Sequence, residues 1–102
     1  MSISTFEIEV ALLEIPGLRI GLVVSFDNRY AGEEVGAFVV PHVGMHLSAE
    51  QVIEQCRARL GFEQSPKVVV FGKDAPQAAT GEYDRTALKR LFARWKDTRF
   101  IP

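Results

Sequence analysis

Turn-forming residues divide the chain into short apolar segments whose periodicity alternates between that of helices and that of strands. Pro16 and Gly17 end a first segment with helical spacing, and the β-branched stretch 18–26 after them predicts a strand. Predicted strands at 35–40 and 67–71 flank a second helical segment, and a third begins after residue 84. The order α-β-β-α-β-loop-α predicts a small α+β domain with about three strands and three helices.

Each predicted helix has a start signal and an apolar stripe. Ser4 and Thr5 can cap the first helix, Ser48 with Gln51 forms a capping box at the second, and Asp84 can cap the third. The stripes expected to face the core are, in order, Ile3, Phe6, Val10 and Leu13; Val52, Ile53, Cys56 and Leu60; and Leu88, Leu91, Phe92 and Trp95. Stretches 27–34 and 72–83 are predicted loops, and strand 67–71 is predicted to be buried.

Length and charge limit the classes of function. The 102 residues suffice for one domain with one modest core, which is small for an enzyme that must hold two substrates. The formal net charge of -1 argues against a general nucleic-acid binder. The charge is uneven, because residues 85–102 contain six basic residues and one acid. This pattern favours a solvated basic helix face, with an anionic partner as the alternative.

Nothing in the sequence indicates a signal peptide or a membrane segment. The first ten residues contain two glutamates and no basic residue, and no run approaches the roughly 20 apolar residues of a membrane span. Cys56 is the only cysteine, so an internal disulfide is excluded. We therefore predict a cytoplasmic protein.

Few residues offer catalytic or metal-binding chemistry. His42 and His46 have the spacing of two ligands on a helix, but Pro41 and Gly44 make this segment a loop. They are interpreted as loop residues, and no metal site is predicted. Cys56 falls on the apolar stripe of its helix, which predicts a core thiol rather than a nucleophile.

The loop before the last helix is the strongest candidate site. Thr80 and Gly81 lie just before the predicted cap Asp84, and glycine lets a backbone approach a ligand closely. The start of the last helix favours an anion. The residues by themselves favour an ordinary loop, with a phosphate site as the alternative.

Several short segments match, in order and spacing, the motifs of one enzyme superfamily. The segment ISTFEIE at 3–9 is similar to I-S-P-x-E-[IV]-E, and GEEVGAFVV at 32–40 is similar to G-E-E-V-x-A-F-V-V. Matches to the second helix and the next strand lie at LSAE (47–50), CRARL (56–60) and PK (66–67). ATGEYDR at 79–85 is similar to T-x-[ST]-G-K-[IV]-x-R. Over nearly its whole length the chain resembles the C-terminal domain of adenylate-forming enzymes, above all acyl-CoA synthetases.

The resemblance implies a lid domain. Members of the superfamily activate a carboxylic acid with ATP to an acyl-adenylate and then usually pass the acyl group to CoA or a carrier thiol. The C-terminal domain rotates between two poses over a larger N-terminal domain. In one pose the lysine of the final motif reaches the substrate carboxylate and the phosphate, and in the other the opposite face shapes the pantetheine tunnel. On this basis residues 1–102 are a single lid-like domain that lacks the hinge and the N-terminal adenylation domain, so CoA and ATP or AMP are expected to bind only with a partner domain.

Glu82 occupies the position of the family lysine. Two unit charges about 4 Å apart interact by roughly 4 kcal/mol at an effective dielectric constant of 20, so attraction of that order becomes repulsion. We therefore expect no adenylation by this lid and assign no catalytic residue. Lys73 and Lys89 are the nearest lysines along the chain, but both lie outside the motif. The residues expected to form the motif loop are Thr80, Gly81, Glu82, Asp84 and Arg85.

The thioester step does not use that lysine. By the resemblance, Arg57 falls at the position of an arginine that helps to hold the CoA nucleotide in acetyl-CoA synthetases, and a solvated helix charge is the equal alternative. Arg59 is predicted to point elsewhere, because residues i and i+2 do not share a helix face.

The resulting hypothesis is an accessory lid that docks on a separately encoded adenylate-forming enzyme, which converts an acid, ATP and CoA into acyl-CoA. The chain is not expected to be active alone or to bind nucleic acid or membranes. The alternatives are a repurposed, non-catalytic interaction module, which could form homo-oligomers, and a fragment of a split gene.

Overall fold

The computed structural model describes residues 5–102, in which three strands lie between two helical layers. The elements are α1 (Thr5–Leu13), β1 (Leu18–Asn28), β2 (Gly32–Pro41), α2 (Ala49–Leu60), β3 (Val68–Phe71), α3 (Arg85–Lys89) and a 3₁₀ helix (Arg90–Trp95). This order and the α+β class are as the sequence predicts. The expected contributions of Ile3 and Ser4 lie outside the described residues.

The sheet has the strand order β1-β2-β3, with β1 and β2 antiparallel and β2 and β3 parallel. Helix α2 supplies the crossover that a parallel pair requires. β1 and β2 form one long hairpin whose turn occupies only residues 29–31, since Asn28 pairs with Gly32. The Asn28 side-chain oxygen accepts the N–H groups of Tyr30 and Ala31 at 3.0 and 3.1 Å, which closes the turn. The prediction of a loop over 27–34 is therefore wrong, because the strands continue almost to the turn.

Both faces of the sheet are covered by helices. Helices α1 and α2 pack on one face, against residues such as Val23 and Val39, and we call this side the α1/α2 layer. Leu88 of α3 and Phe92 of the 3₁₀ helix pack on the other face, against residues such as Phe38, and we call this side the C-terminal layer. Successive residues of a strand point to opposite faces, so the central stretches 20–24 of β1 and 35–40 of β2 are apolar and buried on both sides, while polar residues lie toward the strand ends.

Helix α1 buries a different face from the predicted one. Ile8, Ala11 and Leu12 are buried, whereas Phe6 and Leu13 are exposed. The predicted stripe is therefore wrong, although the helix and its end before Pro16–Gly17 are confirmed. The segment TFEIEVALL is apolar on more than one side, so its periodicity does not select a face and contacts with the sheet decide.

Helix α2 agrees closely with its sequence signals. The Ser48 hydroxyl accepts the Gln51 N–H at 3.1 Å, and the Gln51 side chain accepts the Ser48 N–H at 2.8 Å, so the capping box is confirmed. Val52 and Cys56 are buried, while Ile53 and Leu60 are partly buried.

The last helix and the last strand differ from expectation. The predicted continuous helix becomes a 3₁₀ helix from Arg90. Of its predicted stripe, Leu88 and Phe92 are buried, whereas Leu91 is exposed. Strand β3 lies at the sheet edge, so it is only partly buried, and Phe71 is exposed.

Candidate functional site

Residues 76–84 form a tight loop that leads into α3. The Ala78 N–H donates to the Glu82 carbonyl at 2.8 Å, the Gly81 N–H donates to the Ala78 carbonyl at 2.9 Å, and the Asp84 N–H donates to the Pro76 carbonyl at 2.8 Å. Gly81 has a φ of +90°, which glycine adopts without the strain that a side chain would cause. Backbone hydrogen bonds therefore hold the predicted motif loop in one shape.

The loop presents its central side chains to solvent. Thr80 and Glu82 are exposed, and the Glu82 carboxylate has no hydrogen bond or ion pair within residues 5–102. Asp84 turns back instead and accepts the Ala87 N–H at 3.0 Å, which confirms it as the α3 cap. Glu82 is thus the free negative charge of the loop.

Arg85 ends the motif and ties it to the sheet edge. Its guanidinium donates to the Val23 carbonyl at 2.8 Å and to a Glu9 carboxylate oxygen at 2.6 Å. The same Glu9 oxygen lies 3.5 Å from the Val23 nitrogen. The Val23 N–H and carbonyl groups point outward from the edge strand β1, where a further strand would otherwise pair. The Glu9–Arg85 pair, which we call the clamp, binds both groups instead. We regard Arg85 as a positioning residue, because two of its guanidinium nitrogens hold the Val23 carbonyl and the Glu9 carboxylate.

Arg57 lies on the exposed side of α2. Its guanidinium carbon is 5.2 Å from the centre of the Phe62 ring, and the side chain borders a cleft that Phe100 also lines. Arg59 forms an ion pair with Glu14 instead. The prediction that the two arginines point in different directions is confirmed.

The structure does not bring Arg57 and the motif loop together. Arg57 belongs to a helix of the α1/α2 layer, whereas the motif loop leads into α3 of the C-terminal layer. Thr80, Gly81 and Glu82 do share one loop, as predicted. The domain therefore carries two candidate sites, one associated with each layer.

The other candidate groups lie apart from both sites. Burial raises the pKa of the Cys56 thiol to about 11, against the lowering effect of Arg59, so the thiol is uncharged at neutral pH and the core interpretation is confirmed. His42 and His46 are exposed in the loop after β2. Over residues 5–102 no group of three or more His, Cys, Asp and Glu side chains is arranged to hold a metal ion.

Two polar residues, Glu9 and Asn28, make long-range contacts that the sequence did not predict. Glu9 was one helix acid among several, and its partner Arg85 lies 76 positions away, so only its place in the segment ISTFEIE could have singled it out. Asn28 is buried and donates to the carbonyls of Trp95 and Thr98 at 3.1 and 2.7 Å. It thereby connects the hairpin turn to the C-terminal segment, and no local pattern indicates this.

Among the helices of residues 5–102, none has both the length and the apolar character needed to cross a membrane.

Curated relatives are CoA ligases that are much longer than this chain. The probable CoA ligase CCL11 of Humulus lupulus is 34% identical over 92 residues, which cover 88% of this chain and 16% of that protein. The long-chain-fatty-acid–CoA ligase FadD13 of Mycobacterium tuberculosis is 30% identical over 87 residues, covering 85% of this chain and 17% of the ligase. The chain therefore spans less than a fifth of the length of these relatives.

Solved structures and a family model agree with these relatives. The amide bond synthetase McbA of Marinactinospora thermotolerans superimposes with a TM-score of 0.85 at 27% identity, over 91% of this chain and 19% of that chain. A Mycobacterium tuberculosis fatty acyl CoA synthetase gives a TM-score of 0.79 at 28% identity, over 92% of this chain and 18% of the synthetase. The sequence model of the AMP-binding enzyme C-terminal domain matches residues 7–82. This chain belongs to the AMP-binding enzyme C-terminal domain family.

Proposed function

We propose that this domain is the lid of an adenylate-forming enzyme that makes acyl-CoA from an acid, ATP and CoA, and that Glu82 suits it to the thioester step rather than to adenylation. The observation that carries the proposal is the family match over residues 7–82, whose last matched position is Glu82, exposed and without an ion-pair partner among residues 5–102.

The chemistry of adenylation explains the role given to Glu82. Negative charge gathers on the reacting carboxylate and phosphate, and a fixed cation lowers the barrier while a carboxylate raises it. No cation of the motif compensates, because Arg85 is held by Glu9 and Val23. Lys89, the lysine of α3, lies 4.0 Å from Asp27 and is directed toward that carboxylate instead. The loop therefore brings a net negative charge toward an anionic reaction centre.

Arg57 supports CoA as the acyl acceptor. It lies on a helix of the layer opposite α3, and its guanidinium rests on the Phe62 ring rather than in an ion pair within residues 5–102. A planar guanidinium suits phosphate groups such as those of a CoA nucleotide. The fold by itself does not select a thiol, since the amide bond synthetase McbA shares it. The CoA ligase relatives and Arg57 together favour CoA.

The partner in this proposal is an N-terminal adenylation domain that supplies the ATP and acyl sites in trans. CoA and ATP or AMP would then be bound jointly by the two domains. The two-layer architecture supports this arrangement, because each layer can present its own candidate site to such a partner.

A chimera separates the two half-reactions. Residues 1–102 replace the matched C-terminal segment of FadD13, and the fusion removes any dependence on docking affinity. Adenylation is measured as pyrophosphate release from ATP and a long-chain fatty acid, and thioester formation is measured from the synthetic acyl-adenylate with CoA. We expect Glu82→Lys to raise the adenylation rate by about 100-fold, the order expected for one transition-state charge, and to leave thioester formation nearly unchanged.

Two controls make the result specific. Glu82→Gln removes the repulsion without adding a cation, so it should raise adenylation less than Glu82→Lys does. Arg57→Gln should slow thioester formation at low CoA and leave adenylation unchanged. A chimera that performs the thioester step no faster than the FadD13 N-terminal domain alone would contradict the proposal. That outcome, with a stable oligomer of the isolated chain, would favour the interaction-module alternative.

A further inference from the structure

A cleft in the C-terminal layer combines an apolar base with a ring of positive charge. It lies between the end of β1 and the final helical segment, has a volume of about 260 Å³, and is backed by Phe26 and Ala93. Lys89, Arg90 and Lys96 line it. The cleft contains neither Arg57 nor any residue of the motif loop, so binding in it is independent of the proposed function.

The cations of this cleft are weakly compensated. Among residues 5–102 one carboxylate, that of Asp27, lines the cleft; it lies 4.0 Å from the Lys89 ammonium group, with Asp27 largely exposed and Lys89 about half-exposed. The side chains of Arg90 and Lys96 have no hydrogen bond or ion pair within the described part of the chain. The local balance is therefore three cations to one anion, which favours an anionic ligand.

The base of the cleft is rigid and apolar. The Phe26 ring stacks on Phe92 with centroids 5.5 Å apart and meets Phe100 edge-on at 6.5 Å. Lysine and arginine side chains add aliphatic stems to the walls of such a cleft while their charged ends stay in water. Phe26 itself is buried, so the apolar body of a ligand would lie on Ala93 and on these aliphatic stems while its anionic group meets the charged ends.

We propose that this cleft binds a small amphipathic anion, namely a phosphate or carboxylate attached to an aryl or short acyl body. The volume of about 260 Å³ is slightly below the usual range for drug-sized ligands, which favours a small free metabolite over an extended peptide segment. In this proposal, three of the basic residues of segment 85–102, Lys89, Arg90 and Lys96, serve to bind a specific anion.

Three probes dissect the two parts of the site. 1-Naphthyl phosphate carries both an aromatic body and an anion, inorganic phosphate lacks the aromatic body, and 1-naphthol lacks the anion. Titrations of the full chain are followed by amide chemical shifts at physiological ionic strength. We expect 1-naphthyl phosphate to bind about tenfold or more tightly than either other probe, with the largest shifts at Lys89, Arg90 and Ala93. Equal affinity for 1-naphthyl phosphate and inorganic phosphate would overturn the proposal.

Two matched double variants test whether the cleft or the overall charge binds the ligand. R90Q/K96Q removes two cations of the cleft, and R94Q/R99Q removes two cations of the same segment that do not line it. All four side chains belong to exposed residues, so both proteins are expected to fold. The first variant should lose about tenfold in affinity and the second less than about twofold, because screening limits the reach of charge to about 8 Å. Equal losses would show diffuse attraction and overturn the site.

A lipid phosphate is the other source of the same chemistry. Vesicles of phosphatidylcholine with and without phosphatidylglycerol provide that arm of the experiment. Sedimentation of the chain with the anionic vesicles, lost in R90Q/K96Q but not in R94Q/R99Q, would overturn the free metabolite in favour of a membrane surface. No sedimentation together with saturable 1-naphthyl phosphate binding supports the proposal.

Discussion

The two layers of this domain treat charge differently. In the α1/α2 layer Arg59 pairs with Glu14, and Arg57 rests on an aromatic ring. In the C-terminal layer Arg90 and Lys96 surround a cleft with a single carboxylate. The excess of basic residues near the C-terminus therefore gives the C-terminal layer more uncompensated positive charge than the α1/α2 layer. We therefore expect the small amphipathic anion proposed above to bind only on the C-terminal layer.

The layers also differ in what fills them. The α1/α2 layer packs two α-helices through mainly aliphatic side chains such as Leu12 and Val52. The C-terminal layer has one short α-helix and a 3₁₀ helix, and it relies on stacked aromatic rings, with Phe26 and Phe92 at its centre. A rigid ring in a short element accommodates added volume less readily than an aliphatic chain. The comparison therefore predicts unequal sensitivity to overpacking.

Of the substitutions that compare the two layers, Gly36→Ala is expected to have the largest effect on stability. A methyl group at this position would overlap the Phe92 ring, whereas a methyl group at Gly21 would meet Leu12 of the other layer at 2.9 Å. Gly36→Ala should lower the free energy of unfolding by about 3 kcal/mol and Gly21→Ala by about 1–2 kcal/mol, as measured by urea denaturation. The cost of Gly36→Ala should shrink in a Phe92→Leu background. Equal losses of unfolding free energy in Gly36→Ala and Gly21→Ala would contradict the prediction that the C-terminal layer is more sensitive to overpacking.

The next effect concerns burial in the α1/α2 layer. Burial raises the pKa of Cys56 from 9.0 to about 11, so folding favours the protonated thiol. Its contribution to stability is complete below pH 9 and is lost as the pH rises through 11. Between pH 8 and 11 the wild type should lose about 2 kcal/mol of unfolding free energy relative to Cys56→Ala. Parallel stability curves for the two proteins would show that burial does not control this thiol.

The smallest effects compare two arginine–glutamate pairs. Arg85 holds a strand carbonyl as well as Glu9, while within residues 5–102 the ion-pair partner of Arg59 is the exposed Glu14 alone. Arg85→Gln should lower the free energy of unfolding by about 1–2 kcal/mol, and Arg59→Gln should lower it by less than about 1 kcal/mol. Hydrogen exchange at the Val23 amide should accelerate in the first variant only. Unchanged exchange in Arg85→Gln would contradict the clamp.

Local signals predicted some elements well and others poorly. The capping box of α2 and the Asp84 cap involve side chains and backbone groups three residues apart, so sequence alone predicts them. The buried face of α1 depends on which apolar side meets the sheet, and the 3₁₀ helix after Lys89 packs against the distant strand β1. Those interactions join distant parts of the chain, where periodicity carries no information.

The candidate sites divide in the same way. The motif resemblance grouped Glu82 with its neighbours in one loop, and hydrogen bonds between nearby residues close that loop in the structure. Arg85 was grouped with that loop, but its guanidinium is committed to Glu9 and Val23.

By itself the sequence determined the order of the elements, the family and the presence of an acidic residue, Glu82, in the final motif, because each depends on residue identity and short spacing. Only the tertiary structure decided that Arg57 and the motif loop belong to different layers and that three C-terminal cations share one cleft. Alternating side chains on a doubly covered sheet send neighbours in sequence to opposite faces, whereas folding joins residues that are far apart along the chain. The chemistry available on each face is therefore a property of the folded domain.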